Sequence, residues 1–336
     1  MPARLARSTL AFLTVVALAG CGARVTGAEP ESTGAGHYPV TVDNCGVRTT
    51  FDRAPRRVVT NDVGIAEIMF ALGLEKHMAG YVAPDYKSRR GKLPWQDGYR
   101  KVRLLSRKQI NKEMVLDAKA DLVFAGWNYG FGEGEGFTPE GLRKLGIGSY
   151  VLTESCHSGP GGRRGVMPPL EALYTDLTNL GKIFDVEDRA RALVAGFRKQ
   201  VADARATVPA GKRPKVFLYD SGQDQPVTAG RFAGPQDIIT KAGGENVMGD
   251  LQDTWTTVGW ETVVRRGPEV IVINDYGDVS AEKKRDFLLS YPPLADVPAI
   301  RDKRVFVLDY ADLVESPRNP AAVADLARYL RQARPA

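Results

Sequence analysis

Five apolar runs in this chain end in the same kinds of residue. Asn61-Asp62 follows Val58-Val59-Thr60, and Trp127-Asn128-Tyr129 follows the run around Phe124. Asp220-Ser221, Asn274-Asp275-Tyr276 and Asp309-Tyr310 close three later runs in the same way. Carboxylates and amides orient a bound molecule, while aromatic rings supply contact area at low entropic cost. Trp255 and Trp260 lie in one loop, and Arg231 beside Phe232 offers a cation that would pair with a ligand carboxylate. Open α/β sheets bind ligands beyond the C-terminal ends of their strands, so this recurrence points to a binding cleft. The candidate ligand-binding set is Asn61, Asp62, Trp127, Tyr129, Asp220, Arg231, Phe232, Trp255, Asp275, Tyr276 and Tyr310.

Catalytic patterns are missing. There is no HExxH, GxSxG or P-loop, and only three histidines exist. His37 falls in a polar stretch near the N-terminus, which leaves His77 and His157 as the only imidazoles in the folded part. A histidine-led triad or a histidine-rich metal site is hard to build from two, so no catalytic residue and no resident metal is assigned. Gly130 to Gly136 misses the GxGxxG spacing and carries two carboxylates where a pyrophosphate needs bare N–H groups, so it reads as a mobile loop.

The elements that must position these residues alternate short apolar runs with amphipathic stretches, which is α/β punctuation. Arg57 to Thr60, Met78 to Val82, Asp121 to Ala125 and Ser149 to Leu152 read as strands. Helices fit between them at Gly64 to Leu72, Glu113 to Ala118 and Glu140 to Leu145. A long helical region follows, broken near Phe184-Asp185. Its second part, Glu187 to Thr207, places Ala190, Leu193, Val194, Phe197, Val201 and Ala204 on one stripe. Strands resume at Lys215 to Tyr219, Glu269 to Ile273 and Arg304 to Leu308, and a helix from Pro320 to Gln332 closes the chain. Runs this uniformly apolar indicate parallel sheets covered on both faces.

Composition is that of a globular protein: 336 residues, 43% apolar, with a net charge of +6 from scattered Lys and Arg. Two domains are the expectation from size, and no nucleic-acid surface is indicated.

The first twenty residues are a different material. Arg4 and Arg7 precede an uncharged run from Leu10 to Ala19, too short to span a bilayer, and Leu18-Ala19-Gly20-Cys21 resembles the lipobox of bacterial lipoproteins. The resemblance implies lipidation at Cys21, with residues 1–20 as signal peptide and 21–37 as a flexible tether. Export makes Cys45 and Cys156 an even pair in an oxidising compartment, and a disulfide between them is expected. It would close a loop of about 110 residues, worth roughly 3 to 5 kcal/mol in the chain-entropy account.

The mature chain as a whole resembles the substrate-binding proteins of ABC importers of the ferric-siderophore and cobalamin type. The residues that carry this are the lipobox, Pro55-Arg56-Arg57-Val58-Val59 with Glu67 and Ala71-Leu72-Gly73, Ala120-Asp121-Leu122-Val123, the single long helix, Gly243-Gly244-Glu245-Asn246-Val247, and Pro268-Glu269-Val270-Ile271-Val272. The resemblance implies an α/β fold of two Rossmann-like lobes joined by one long backbone helix, with the ligand cleft between the lobes. Residues 38–185 would form the N-terminal lobe, 186–208 the linking helix and 209–336 the C-terminal lobe. It further implies a monomer, lipid-anchored to the outer face of the cytoplasmic membrane, that delivers its ligand to a membrane permease. Glu113 and Glu261 match the glutamates that pair with permease arginines, one in each lobe.

Four strand-end carboxylates, Asp62, Asp220, Asp275 and Asp309, would repel an anionic chelate. A ferric hydroxamate is therefore expected ahead of a catecholate, with iron entering only as part of the chelate and no other cofactor. A corrinoid or haem ligand, and an enzyme on the same two-lobe scaffold, stay open as alternatives.

Overall fold

The computed structural model describes residues 36–83, 95–134, 136–159 and 162–333. Cys21, the signal segment and nearly all of the tether lie outside the described residues.

The body begins with a hairpin, β1 (Val40–Asn44) and β2 (Val47–Phe51), paired antiparallel. Cys45 and Gly46 both take positive φ at its tip, the geometry that a two-residue turn needs to match strand twist. The side chain of Asn44 bonds both the N–H and the carbonyl of Val151, which fastens the hairpin to the first sheet. Cys45 is disulfide-bonded to Cys156, as expected, with their Cα atoms 5.3 Å apart.

The first lobe is a parallel sheet of β3 (Val58–Asn61), β4 (Met78–Val82), β5 (Leu104–Ser106), β6 (Leu122–Trp127) and β8 (Gly148–Val151), in the order β5-β4-β3-β6-β8, with the short β7 (Gly130–Phe131) beside β6. Helices α1 (Val63–Ala71), α2 (Gln96–Lys101), α3 (Lys112–Asp117) and α4 (Pro139–Arg143) connect the strands. Asn111 and Thr138 cap α3 and α4 through their side-chain oxygens. The glycine-rich loop is better anchored than its composition suggests. Phe131 and Phe137 are buried and stacked, and Gly132 N–H donates to the Phe137 carbonyl at 3.0 Å.

The linking region is α5 (Pro169–Ile183) followed by α6 (Glu187–Ala206). Asp185 turns the chain between them with φ 57. On α6, Ala190, Val201 and Ala204 are buried, while Leu193, Val194 and Phe197 pack partly buried against the core. Twenty residues make a strut of about 30 Å. It packs on α5 along one side and on the last helix along another.

The second lobe is a parallel sheet of β9 (Lys215–Tyr219), β11 (Glu245–Asn246), β13 (Val270–Asp275) and β14 (Val305–Asp309), ordered β11-β9-β13-β14. A ribbon of β10 (Val227–Ala229) and β12 (Trp255–Thr257) stands apart. Its helices are α7 (Gly234–Lys241), α8 (Trp260–Arg266), α9 (Ala281–Ser290), α10 (Pro298–Arg301), α11 (Tyr310–Leu313) and α12 (Asn319–Gln332). Every residue of β13 is buried, the pattern of a strand covered on both faces.

One cluster of contacting buried side chains runs from Ile65 and Leu72 in the first lobe through Leu177 and Leu180 to Val216, Val272 and Leu326 in the second. His37, placed in the tether by the sequence reading, belongs to this body: its Nε2 donates to the Lys182 carbonyl at 2.6 Å.

Candidate functional site

The C-terminal end of β6 faces those of β9, β13 and β14 across a cavity of about 330 Å³. Four aromatic side chains line it, Tyr129, Trp255, Tyr276 and Tyr310, along with Asn128, Gln109, Thr256 and Thr257. Among the described lining residues only Arg164 and Asp220 are charged. Tyr276 and Tyr310 stack at 4.9 Å, forming one continuous ring surface on the second lobe.

Three polar atoms here lack a well-shaped hydrogen bond: Arg164 Nε, the Tyr129 hydroxyl and Trp255 Nε1. The indole N–H sits close enough to Tyr129 to oppose the rise that burial imposes on that phenol's pKa, yet neither atom completes a bond. Arg164 is held by its Nη2 on the Trp255 carbonyl at 3.1 Å and by its N–H on Asp253 Oδ1 at 3.3 Å, leaving Nε over. Buried polar groups are ordinarily paired, so three unsatisfied ones on residues that line one aromatic cavity make it the candidate ligand site.

Asp220 is oriented by Asn274 Nδ2 at 2.5 Å and Ser221 Oγ at 2.8 Å, and burial raises its carboxyl pKa. Beneath it lies Lys284, 2% exposed, whose ammonium donates to the carbonyls of Asp220, Asn274 and Tyr276. Three donors on three carbonyls hold the ends of β9 and β13 at a fixed separation. Burial lowers the Lys284 pKa against the opposing pull of Asp220 and Asp275.

The lobes are joined beside the cleft by buried polar contacts. Tyr310 OH donates to Asp62 Oδ2 at 2.6 Å, and Asp62 Oδ1 caps α1 through Gly64 N–H at 3.0 Å. Asp62 itself has φ 91 and ψ 149, a region costly for any residue with a Cβ, and these bonds hold it there. Burial pushes its carboxyl up to about 6, with the Tyr310 and Gly64 bonds opposing. Gly64 must be glycine because a Cβ would fall 2.5 Å from the Glu315 carbonyl oxygen.

Glu154 and Glu315 face each other reciprocally: each backbone N–H donates to the other's carboxylate, at 2.9 and 3.0 Å. Glu154 also accepts from Gly234 N–H at the start of α7, and burial pushes it up to about 7. Glu315 Oε1 has no N–H or neutral O–H donor, but it meets Asp176, and burial with Asp176 and Glu154 drives the Glu315 carboxyl well above the ordinary range. A protonated Glu315 donating to Asp176 satisfies every atom of the pair. Further along, Arg318 clamps Glu67 bidentately, with Nε to Oε2 at 2.6 Å, and Tyr99 OH adds a bond to Glu67 at 2.7 Å.

The structure thus brings Tyr129, Asp220, Trp255, Tyr276 and Tyr310 to the cavity and sends the other expected residues elsewhere. Asn61 is fully buried and accepts from Ile110 N–H. Asp62 and Asp275 turn to helix starts, Asp275 accepting from Ala281 N–H at 3.2 Å, and Asp309 forms a capping box with Asp312. The four-carboxylate repulsion expected from sequence therefore reduces to Asp220 alone. Trp127 stacks on His157 at 4.4 Å and lines a separate recess of about 500 Å³ beside Cys45. Arg231 is exposed and does not line the cavity, and Phe232 packs against Gly165, where a Cβ would lie 2.1 Å away. The cleft's cation is Arg164, hidden from sequence in a glycine-flanked Arg-Arg pair that looks like solvated surface. Lys284 did carry a signal: it interrupts the buried stripe of Ala281 and Leu288 on α9. Glu113 and Glu261 are both exposed in first helical turns, and the Glu261 carboxylate folds back over Gly259.

Among the described residues no helix is long and apolar enough to cross a membrane. The family model for periplasmic binding proteins matches residues 58–311. The vitamin B12-binding protein of Yersinia pestis (strain Pestoides F) is 26% identical over 224 residues, covering 66% of this chain and 70% of its own. The periplasmic heme-binding protein RhuT from Roseiflexus sp. RS-1 superposes with a TM-score of 0.64 at 25% identity, over 83% of this chain and 99% of that one. An ABC-type Fe3+-hydroxamate transport system structure from Saccharomonospora viridis DSM 43017 shares the fold with a TM-score of 0.73 at 24% identity, over 87% and 99% of the two chains. With a parallel sheet in each lobe, a cleft at the strand ends and a family match across both lobes, the chain belongs to the periplasmic binding proteins, exported binding proteins and not enzymes.

Proposed function

We propose that this protein captures a metal chelate outside the cytoplasmic membrane and delivers it to an ABC permease, with a ferric hydroxamate as cargo. The observation that carries the reading is the charge of the cleft: four aromatic walls with one cation, Arg164, and one carboxylate, Asp220. Such a surface suits a chelate of little net charge. A polyanionic ferric catecholate would find a single counter-charge and a carboxylate opposing it. A volume of about 330 Å³ is at the small end of ligand sites, which favours the metal-binding head of a compact chelate over a whole corrinoid. The unpaired Tyr129 hydroxyl, Trp255 N–H and Arg164 Nε supply donors for hydroxamate oxygens. Lipidation at Cys21 would hold the protein at the membrane, and Glu113 and Glu261 would meet the permease, one from each lobe. The protein would act as a monomer.

The relatives named above for B12 and heme make those ligands the second reading. Titrating intrinsic tryptophan fluorescence with ferric hydroxamates, ferric catecholates, cobalamin and haem separates them, because Trp255 lies in the cavity wall. Saturable quenching by hydroxamates at micromolar or lower concentration is expected. Saturation by haem or cobalamin alone replaces the cargo, and a flat response to all of them removes the chelate reading.

A further inference from the structure

His37, Asp185 and Glu187 converge at the corner where α5 passes into α6. One ligand atom from each lies within 4.8 Å of the others. His37 Nδ1 is 3.2 Å from Asp185 Oδ1 and 3.8 Å from Glu187 Oε1. The other ring nitrogen settles what Nδ1 presents. Nε2 lies 2.6 Å from the Lys182 carbonyl, which only accepts, so Nε2 carries a proton. In the neutral ring Nδ1 is then a bare lone pair aimed at two carboxylates, and three acceptors share one small space. A metal ion between them would satisfy all three at once.

The spacing suits such an ion. A tetrahedral ion with bonds of about 2.1 Å sets its ligand atoms about 3.4 Å apart, and the two observed separations bracket that value. The hydrogen bond from Nε2–H to a backbone carbonyl is the outer-shell contact that orients a ligating imidazole. Tyr38 OH on the Ile183 carbonyl at 2.7 Å anchors the next residue, so His37 does not have to be ordered by the ion. Side-chain exposures of 20% for His37, 33% for Glu187 and 63% for Asp185 leave an open side for entry and for a water as fourth ligand. One imidazole with two carboxylates favours zinc and its first-row neighbours over magnesium or calcium, which prefer all-oxygen sites.

We propose that His37, Asp185 and Glu187 form a zinc-class divalent metal site that pins the point where the chain enters the folded body to the α5–α6 corner. The site lies outside the cleft and is independent of its cargo.

The test is calorimetric titration of the purified, tag-free, chelator-treated protein with zinc chloride. One zinc per chain is expected, with micromolar or tighter affinity, weakened at least about tenfold in both His37→Ala and Asp185→Asn. His157→Ala should bind as the wild type does, and millimolar magnesium or calcium should not compete. Circular dichroism on each variant separates loss of the site from loss of the fold. Absence of zinc binding, or an isotherm unchanged in His37→Ala, would overturn the proposal and leave the cluster as a corner contact of the fold. Competition by calcium would overturn the imidazole-led assignment.

Discussion

The Tyr310 hydroxyl reaches 2.6 Å across from the second lobe to Asp62 Oδ2 in the first, at the edge of the cleft. It also stacks on Tyr276, so one side chain both lines the cavity and ties the lobes. Tyr310→Phe keeps the stack and removes only the hydroxyl. A hydrogen bond to a buried carboxyl is worth about 1 to 3 kcal/mol, so thermal unfolding should shift down correspondingly. Because that bond opposes the burial-driven rise in the Asp62 pKa, the variant should titrate Asp62 above the wild-type value of about 6. An unchanged melting temperature would show that the lobes do not depend on this contact.

The buried acids between the lobes set a pH dependence whose sign is fixed. Asp62 at about 6 and Glu154 at about 7 are raised above their ordinary values by burial. Between about pH 4 and 7 the folded state therefore holds protons that the unfolded chain has released. Stability is full below about pH 4 for these groups and falls as pH rises through their folded values. At about 1.4 kcal/mol per unit, Glu154 alone contributes a loss on the order of 3 kcal/mol by pH 8. Glu315→Gln tests the assignment, since an amide can accept from Glu154 N–H and donate permanently to Asp176. Denaturant titrations across pH 5 to 8 should show a shallower slope in the variant, with stability at pH 8 kept or raised. A variant unstable at every pH would mean that Glu315 is ionised in the native state.

Arg164 and Arg231 make a contrast that the sequence ranked the wrong way. Arg164→Ala removes the cleft's one described cation and a donor without a partner, so affinity for a hydroxamate or any carboxylate-bearing chelate should fall about tenfold to a hundredfold. Arg231→Ala, on an exposed side chain outside the cavity, should leave it unchanged. Calorimetric titration of both variants decides it.

What could be read ahead of the structure follows from how local each signal is. The β13 run and the α6 stripe announce themselves because burial is written in consecutive or periodic residues. The direction of Asp62, Asp275 and Asp309 is not written that way: a carboxylate after a strand serves equally at a helix start or as a ligand contact, and all three accept at helix starts. Glu154, Asp176 and Glu315 were unreadable for another reason. Nothing in residue type separates three buried acids from the rest of 40, and Glu154 meets Glu315 from 161 positions away.

The disulfide joins the hairpin tip to the segment after β8, closing a loop across 111 positions. The double variant Cys45→Ser, Cys156→Ser should cost roughly 2 to 5 kcal/mol, measurable as a lower denaturation midpoint. The loss should stay below the upper figure, because Asn44 still bonds the Val151 backbone at 2.7 and 2.8 Å.

The two exposed glutamates separate binding from delivery. Glu113 and Glu261 lie in first helical turns outside the cavity, so neither change should alter chelate affinity. If each engages a permease arginine, Glu113→Ala and Glu261→Ala should each reduce uptake by reconstituted or whole-cell transport, and the double variant should abolish it. A helix-dipole role predicts something else: a loss of about 0.3 to 1 kcal/mol in stability with uptake intact. Glu261, whose carboxylate lies over Gly259 at the start of α8, is the residue for which the two roles compete. Glu261→Gln removes the charge while keeping the shape, so intact uptake in that variant would assign the residue to its helix, and lost uptake with wild-type chelate affinity would assign it to the permease.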